Sequence, residues 1–358
     1  MRIIQIIDSL EAGGAERMAV NYANALTEQI EFSGLVVTRK EGVLVNQIDK
    51  KVSYLYLNKK STIDFGALFR LRNYVKRNKI TIIHAHSTSF FIAILLKITH
   101  PKVKIIWHEH YGARVNESRA NNFILILSSL FFSSVFVVNY QLEKWVKKTL
   151  LVRRVFYVPN FAIPDSNQPN VTFLKGEEKK RIVCLANLKN PKNHIAILTA
   201  FKELKLDYLG WSLHLIGKDY EDNYSLNLKR FIKTNNLENA AFIYGSRNDV
   251  QHILSQASIG ILSSTDEGFP VSLLEYGLAE LAVVSTNVGY CPSLIKEGSS
   301  GLLFNPLDQM QLQQQLYKMI SDQKLRVGLG LHLRKLVLKE YSSDYAIQLL
   351  LTEYTKFQ

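Results

Sequence analysis

Short apolar runs alternate along the chain with longer segments whose apolar residues recur at helical spacing. The first series of predicted strands is Ile3–Ile7, Gly34–Val37, Ile80–His84, Val103–Trp107 and Val135–Val138. The second series is Arg181–Leu185, Ser212–Ile216, Ala241–Tyr244, Ile259–Leu262 and Ala282–Ser285. Predicted helices between them include Ala15–Leu26, Phe65–Lys76, Asn193–Leu204, Leu226–Asn235 and Leu273–Leu278. Continuous Val, Ile and Leu runs are typical of parallel strands covered on both faces, so the pattern predicts an α/β protein with two doubly wound sheets.

A stretch rich in Pro and Asn, from Pro159 to Asn170, interrupts both periodicities and separates the two series. We therefore predict an N-terminal domain over 1–165, a C-terminal domain over 166–340, and a last helix over 341–358 that packs back toward the N-terminal domain. Ligands of such folds bind at the carboxyl ends of the strands, so the two sheets are expected to face a central cleft.

One apolar run, Phe123 to Val138, needs separate treatment because it resembles a membrane span. It has 16 residues and four interrupting serines, whereas a helix that crosses a bilayer needs about 20 apolar residues. We expect a buried helix from Asn121 to about Phe132, followed by a core strand.

The charge of the chain is concentrated in its first half. The net charge is +13, and residues 1–160 hold 23 Lys and Arg against 11 Asp and Glu, a net of +12. Such a field attracts an anionic membrane surface or a phosphorylated substrate, although it also serves solubility. No zinc-finger or aromatic RNA-binding pattern favours nucleic acid as a partner.

The two cysteines, Cys184 and Cys291, have no partner at metal-ligand spacing, so neither a disulfide framework nor a zinc site is expected. Met1 and Arg2 lead directly into the first strand, with no signal-peptide pattern. These features favour a cytoplasmic protein.

The first candidate for chemistry is the turn that contains Gly13 and Gly14, between the first strand and the first helix. Adjacent glycines let the backbone approach a ligand closely, and the following helix directs free N–H groups at an anion or a sugar hydroxyl. The turn is neither a GxGxxG motif nor a P-loop, which disfavours nicotinamide binding and nucleotide hydrolysis. A purely structural tight turn is the alternative.

The second candidate is the segment Glu267-Gly268-Phe269-Pro270-Val271 with Glu275, after the strand Ile259–Leu262. Two carboxylates eight residues apart fit two positions along one extended ligand, because each accepts hydrogen bonds from vicinal hydroxyls. Gly268 permits close backbone approach, and Pro270 suits the first turn of a helix. Solvated acids at a helix start are the alternative.

The third candidate is the turn Asn187 to Asn193, where the first strand of the second domain ends. Lys192 or Lys189 could reach a diphosphate from this position as a point charge.

The fourth candidate is the pair His108 and His110, at the end of another first-domain strand. Their spacing resembles a metal pair, but no third ligand is evident, so we expect no metal and a polar role at the strand end. A structural histidine is the alternative. His84 and His86 occupy a similar strand end.

Taken in order, these segments resemble the family 4 glycosyltransferases of the GT-B fold. The resemblance rests on the Gly13-Gly14-Ala15-Glu16 turn, Lys192-Asn193, the pair Glu267 and Glu275, Val288-Gly289, and Glu297-Gly298 through Gly301-Leu302-Leu303 to Pro306. It implies two Rossmann-like domains, a nucleotide sugar such as a UDP or GDP sugar bound mainly by the second, and transfer with retention, without a metal or other cofactor.

The resemblance also implies roles for individual residues. Lys192 would stabilise the donor diphosphate, Glu275 would hold the ribose, and Glu267 with the backbone near Phe269 would hold the donor sugar. Gly14 would approach the phosphate or the acceptor, and His108 or His110 would lie near the reaction centre. The family often has an arginine where this chain has Asn187, so Lys192 would carry more of the charge, or Lys189 would assist.

Two other functions share this fold: a non-catalytic nucleotide-sugar-binding protein, and a sugar phosphorylase. The intact set of Lys192, Glu267 and Glu275 disfavours the first, and the second would need a lysine-bound pyridoxal phosphate. Basic and apolar residues mix in Ser89–Lys97 and Lys144–Lys148, with Trp145 suited to an interface. We therefore expect a peripheral enzyme on the inner membrane face that extends a lipid-linked glycan in surface polysaccharide synthesis.

Overall fold

The computed structural model describes residues 1–11, 13–163 and 170–357. The described chain forms two compact units, one of Met1–Phe161 with Ser343–Gln358 and the other of Ala162–Ser342. The domain boundary predicted at residue 165 lies outside the described residues.

The first unit is built on a seven-stranded sheet in the order β3-β2-β1-β4-β5-β6-β7, with every neighbouring pair parallel. Its strands are β1 Arg2–Ser9, β2 Phe32–Lys40, β3 Ser53–Tyr56, β4 Ile82–His86, β5 Lys104–Glu109, β6 Ser134–Val137 and β7 Val155–Tyr157. Its helices up to residue 161 are α1 Gly14–Ala25, α2 Phe65–Arg77, α3 Phe90–Thr99, α4 Phe123–Ser128 and α5 Tyr140–Thr149.

The second unit has a six-stranded parallel sheet in the order β10-β9-β8-β11-β12-β13. Its strands are β8 Arg181–Leu185, β9 Ser212–Ile216, β10 Ala241–Gly245, β11 Ile259–Leu262, β12 Ala282–Thr286 and β13 Leu302–Phe304. Its helices are α6 His194–Glu203, α7 Asn223–Thr234, α8 Val250–Ser255, α9 Val271–Leu278, α10 Cys291–Leu294, α11 Gln309–Ser321 and α12 Gln323–Glu340. Both units are thus Rossmann-like.

The last helix, α13 Ser343–Thr355, belongs to the first unit although it is distant in sequence. It buries Ala346, Leu350 and Tyr354 completely. The hydroxyl of Tyr354 lies 2.6 Å from Nδ1 of His84 in β4. The end of the chain therefore contributes to the core beneath the first sheet.

The two predicted parallel sheets are confirmed, and β8, β9 and β11 have the predicted bounds. Three strands were missed: β3, β7 and β13. Tyr54 and Tyr56 make β3 look polar, and they direct their hydroxyls to Glu41 Oε1 and to the carbonyl of Arg39. The other two missed strands, β7 and β13, have only three residues each, too few for a periodicity to be recognised.

The prediction that Asn121 to Phe132 forms a buried helix is wrong. The segment forms α4 and the 3-10 helix Ser129–Phe131, and five large apolar side chains on it are 43–63% exposed: Phe123, Ile124, Leu127, Leu130 and Phe131. We call these five residues the apolar patch. The serines explain the difference, because Ser128 and Ser129 take the buried positions and displace the bulky residues outward.

The predicted surface role of Ser89–Lys97 is also not supported by its burial. Ile92, Ala93, Ile94 and Leu96 lie in the core, because α3 packs one face against the sheet. Among the described residues, no helix is both long enough and apolar enough to cross a bilayer.

Helix N-termini fall into two groups. Five begin with an acidic or amide side chain that accepts a hydrogen bond from the first turn, worth about 1 kcal/mol each: α2, α5, α7, α11 and α12. The three helices that follow candidate site turns, α1, α6 and α9, have no such bond from Gly13, Asn193 or Pro270. Like α3, α4, α8 and α10, they thus lack a side-chain cap, although the amide of His194 in α6 donates to the Tyr224 hydroxyl at 2.9 Å.

Two glycines of α12 test the packing of the second unit. A Cβ on Gly330 would lie 2.1 Å from the carbonyl oxygen of Glu280, whereas a Cβ on Gly328 would meet nothing within 4 Å. We expect Gly330→Ala to lower the free energy of unfolding by about 1–3 kcal/mol. Gly328→Ala should raise it by about 0.5–1 kcal/mol, because alanine favours the helix. Thermal melts of the two variants would check this, and equal shifts would contradict the packing described.

Candidate active site

The turn between β8 and α6 holds Lys192 in place through its backbone. Ser263, at the end of β11, donates its hydroxyl to the carbonyls of Lys192 and Asn193, at 2.9 Å each. The amide of Thr265 donates to the carbonyl of Pro191 at 2.9 Å. Asn193 adopts the left-handed conformation, with φ of 51°. The neighbouring strand thus fixes the direction in which Lys192 leaves the backbone.

Lys192 and Glu267 lie in direct contact, 75 residues apart in sequence. The ammonium Nζ is 2.7 Å from Oε1 of Glu267, and the side chains are 24% and 7% exposed. Ser264 donates its hydroxyl to the same oxygen at 2.6 Å. A covered carboxylate needs such partners, since an unpaired charge away from water is costly. The structure therefore joins two predicted site residues and adds Ser264, which the sequence did not suggest.

The backbone around Glu267 is tightly enclosed by the Val288-Gly289 turn. Gly289 has a φ of 56°, and a Cβ there would be 1.7 Å from the carbonyl oxygen of Glu267. Phe269 is buried and stacks on Tyr290, with ring centroids 4.8 Å apart. The side chain of Phe269 is thus part of the packing of the second unit.

Pro270 and Val271 lie at the start of α9 and not in the loop before it. Pro270 is the residue before the first helical turn, and the Val271 side chain is buried. Glu275 is half-buried and lies just over one turn into the helix. The uncapped first turn of α9 offers backbone N–H groups and a partial positive charge beside Gly268.

The two other predicted donor residues have contacts of their own. Asn187 accepts a hydrogen bond from the backbone N–H of Lys218 at 2.8 Å, so it holds the turn after β9. Lys189 is exposed, and its ammonium lies 5.7 Å from the centre of the Tyr220 ring. The amide of Lys192 donates to the carbonyl of Lys189 at 2.9 Å, so Lys189 shares the turn with Lys192 although its ammonium lies over Tyr220.

In the first unit, the Gly13-Gly14 turn already has a carboxylate beside it. A Cβ on Gly13 would be 2.2 Å from Oε2 of Glu16, and the Ser9 hydroxyl is 3.3 Å from Oε1 of the same residue. Glu16 thus lies at the start of α1, where an anion is favoured. Another anion would have to displace Glu16 from this place.

Four histidines form one cluster at the ends of β4 and β5. His84 Nε2 lies 3.1 Å from His108 Nδ1, and His86 Nδ1 lies 2.9 Å from His110 Nε2. His86 Nε2 is 2.9 Å from Oε1 of Gln5 in β1. His108 is fully buried, whereas His110 is half-buried at the strand end. Of the two predicted histidines, His110 is therefore the one near the surface.

Burial keeps these rings neutral at ordinary pH. It lowers the pKa of His110 to about 3 and the pKa of His84, His86 and His108 well below the usual value. Because Gln5 Oε1 can only accept, His86 carries its proton on Nε2 and accepts at Nδ1 from Nε2–H of His110. The remaining nitrogen of His110, Nδ1, is thereby left as an acceptor without a partner among the described residues.

The structure places two further histidines beside His108, whereas the sequence offered only the pair His108 and His110. Ligand nitrogens of His84, His86 and His108 all lie within 4.8 Å of one another. The strand register explains this, since β4 and β5 pair His86 with His108 and alternate residues share a face. Comparing the two His-x-His strand ends would have revealed the cluster, whereas Tyr354 gives no such signal. That no metal takes part remains a prediction.

Comparison with known proteins identifies the class of the protein. Residues 12–165 match the family model described as Glycosyltransferase Family 4, and residues 169–335 match the one described as Glycosyl transferases group 1. The protein is a glycosyltransferase and belongs to family 4, with the GT-B fold.

Similar proteins cover almost the whole chain. An uncharacterized glycosyltransferase of Haemophilus influenzae is 23% identical over 96% of this chain and 95% of its own length. A Campylobacter jejuni N-acetylgalactosaminyltransferase, named as acting on a diphospho-undecaprenol-linked glycan, is 24% identical over 91% and 90%. Among solved structures, Anabaena HepE in complex with UDP and glucose has a TM-score of 0.83 at 15% identity, over 99% of this chain and 100% of that one.

The contact between Lys192 and Glu267 generates a prediction on catalysis. Lys192→Ala should reduce turnover roughly 10²- to 10³-fold, the usual loss when one preorganised charge is removed from an active site. Initial rates of nucleotide release would measure it, with Lys189→Ala as the matched control that should retain most of its activity.

Stability has to be measured beside activity in this case. Lys192→Ala leaves the covered Glu267 without its cation and should lower the melting temperature, whereas Lys192→Arg keeps a charge and should melt near the wild-type protein. A folded Lys192→Ala protein with full activity would show that Lys192 has no catalytic role.

Proposed function

We propose that this glycosyltransferase transfers a sugar from a nucleoside diphosphate sugar, UDP-linked or GDP-linked, to a glycan acceptor with retention at the anomeric carbon. The single observation that carries the proposal is the buried Lys192–Glu267 contact next to the uncapped start of α9. A cation and the positive end of a helix in one place suit the leaving diphosphate. A buried carboxylate beside them suits sugar hydroxyls.

The chemistry follows from where charge develops. Cleavage of the anomeric bond leaves negative charge on the diphosphate and positive character on the sugar. Lys192 and the first turn of α9 would stabilise the former. Glu267, released from Lys192 as the phosphate takes that cation, would accept hydrogen bonds from the sugar, and Glu275 would hold the ribose. The acceptor hydroxyl would attack on the face that the leaving group departs from, without a covalent enzyme intermediate.

We assign the acceptor to the first unit. His110, with Nε2–H engaged by His86, would accept a hydrogen bond at Nδ1 from an acceptor hydroxyl. The name of the Campylobacter relative, which includes a diphospho-undecaprenol acceptor, supports a lipid-linked glycan of a surface polysaccharide as the acceptor. The HepE complex with UDP and glucose supports a UDP sugar as the donor.

We further propose that the enzyme works in the cytoplasm at the inner membrane face. The apolar patch supports this, since five large apolar residues exposed within nine positions are typical of an interaction surface. The patch adjoins a basic segment: the amide of Leu151 donates to the Ser129 hydroxyl at 2.8 Å, and Lys147, Lys148, Arg153 and Arg154 on either side of Leu151 are exposed. Basic residues next to apolar ones suit an anionic bilayer.

A donor screen tests the proposed reaction. We expect UDP or GDP release from one nucleotide sugar that depends on a glycan acceptor and persists in EDTA, because no metal is assigned a role. The anomeric configuration of the product should match that of the donor by NMR. Loss of activity in EDTA that Mg²⁺ or Mn²⁺ restores would contradict the metal-independent mechanism, and release of sugar 1-phosphate from a glycan and phosphate would indicate a phosphorylase.

Sedimentation with phosphatidylglycerol vesicles tests the membrane proposal. The double variant Ile124→Asp with Leu130→Asp should weaken vesicle binding at least about tenfold, since burying each aliphatic side chain contributes on the order of 1.5–3 kcal/mol. Leu307→Asp is the control, because Leu307 is 85% exposed on the second unit. Binding should also fall at high salt. Equal binding by wild type and the double variant would exclude the patch as the contact.

A further inference from the structure

Two cations, Lys59 and Arg39, lie at the carboxyl edge of the first sheet. The backbone N–H of Lys59 donates to the carbonyl of Thr38 at 2.7 Å, which in a parallel sheet sets Lys59 beside Arg39 at the end of β2. Lys59 is only 8% exposed. Among the described residues, neither the Lys59 ammonium nor the Arg39 guanidinium has a hydrogen bond or a salt bridge.

The nearby acids do not neutralise this pair by direct contact. Both carboxylate oxygens of Asp8, at the end of β1, accept from the hydroxyls of Thr38 and Thr88. Asp64 accepts from the backbone amides of Lys60 and Ala67 at the start of α2. Lys59 thus has a second cation, Arg39, as its neighbour, while the carboxylates of Asp8 and Asp64 accept hydrogen bonds from other groups.

The electrostatics of Lys59 favour the binding of an anion. Burial and, next, the charge of Arg39 lower the pKa of Lys59, against the opposite influence of Asp8 and Asp64. An anion between the two cations would raise the pKa of Lys59 and so oppose both causes. A covered ammonium next to a guanidinium is an arrangement that an added phosphate stabilises.

We propose that Lys59 and Arg39 form a phosphate site that holds the diphosphate of the glycosyl acceptor. The guanidinium would bind two phosphate oxygens through its fork, and the ammonium would bind as a point charge. This inference rests on the proposed acceptor role of the first unit, and it names the charged group by which the acceptor is recognised.

The position of the pair suits an acceptor that reaches along the sheet edge. In the strand order β2-β1-β4-β5, Arg39 and His110 are separated by three strand spacings, about 14 Å. A diphosphate held at β2 would therefore leave a glycan lying across the ends of β1 and β4 with its distal hydroxyl at His110. The same distance sets a minimum length for an acceptor that uses both contacts.

Calorimetry with inorganic pyrophosphate, at saturating UDP so that the donor site is occupied, tests the proposal. Lys59→Met keeps the covered stem and removes the charge, and Arg39→Gln changes an exposed side chain. Each should weaken pyrophosphate binding about tenfold or more, the usual loss of a charged hydrogen bond. The control is Lys104→Met, which removes an exposed charge at the opposite, amino end of β5. Its pyrophosphate affinity should match that of the wild type.

Unchanged pyrophosphate affinity in both Lys59→Met and Arg39→Gln would overturn the proposal, as would an equal loss in Lys104→Met. Vesicle sedimentation shows whether the ligand of this site is the acceptor diphosphate or the phosphate of a bulk lipid. Retained binding of Lys59→Met to phosphatidylglycerol vesicles supports the acceptor diphosphate, whereas a loss as large as that of the apolar-patch variant would overturn that assignment. If UDP itself fails to bind, the proposed donor chemistry fails. Pyrophosphate titrated into the Lys192→Ala protein, which lacks the cation of the donor site, would still report on the Lys59 site.

Discussion

The contact between Lys192 and Glu267 is the constraint around which the second unit is arranged. A carboxylate that is almost fully covered needs a cation and a hydroxyl, and both are supplied by strands whose carboxyl ends lie side by side. The left-handed Asn193, the hydroxyl of Ser263 and the close approach of Gly289 all hold the backbone that presents this pair. The parallel sheet makes this possible, because β8 and β11 end at the same edge although they are far apart in sequence.

In the first unit, neighbouring parallel strands also bring together residues that are distant in sequence, but here the side chains are neutral. There, Gln5 within β1, His86 at the end of β4 and His110 just after β5 form a single hydrogen-bonded chain of neutral groups. A neutral chain has a defined direction: once Gln5 accepts, each following nitrogen is fixed as donor or acceptor. Hydrogen bonds within the sheet thus determine which nitrogen of the half-buried His110 ring is left to accept a hydrogen bond from a ligand.

The sequence was sufficient to predict the fold class and most strands, because continuous apolar runs such as Ile182 to Cys184 have no other stable environment. It also identified Lys192 and Glu267, through the resemblance to a family. It could not predict that Ser264 joins them, since a serine in a polar turn carries no distinguishing pattern. It failed for Phe123 to Phe131, where hydrophobicity alone suggested burial and the packing of Ser128 and Ser129 decided otherwise. The pairing of Lys59 with Arg39 depends on a strand, β3, that was too short to be recognised.

The place of α13 has a consequence for the synthesis of the protein. Residues up to Phe161 of the first unit are made before the second unit, yet Leu350 and Tyr354, which complete the core of the first unit, are made after it. Until the whole second unit has been translated, the apolar surface that α13 covers and the His84 nitrogen that Tyr354 meets have no native partner. The first unit can therefore complete its core only after the second unit has been made. A chain cut just before Leu350 would keep the second unit whole and would lack part of the core of the first.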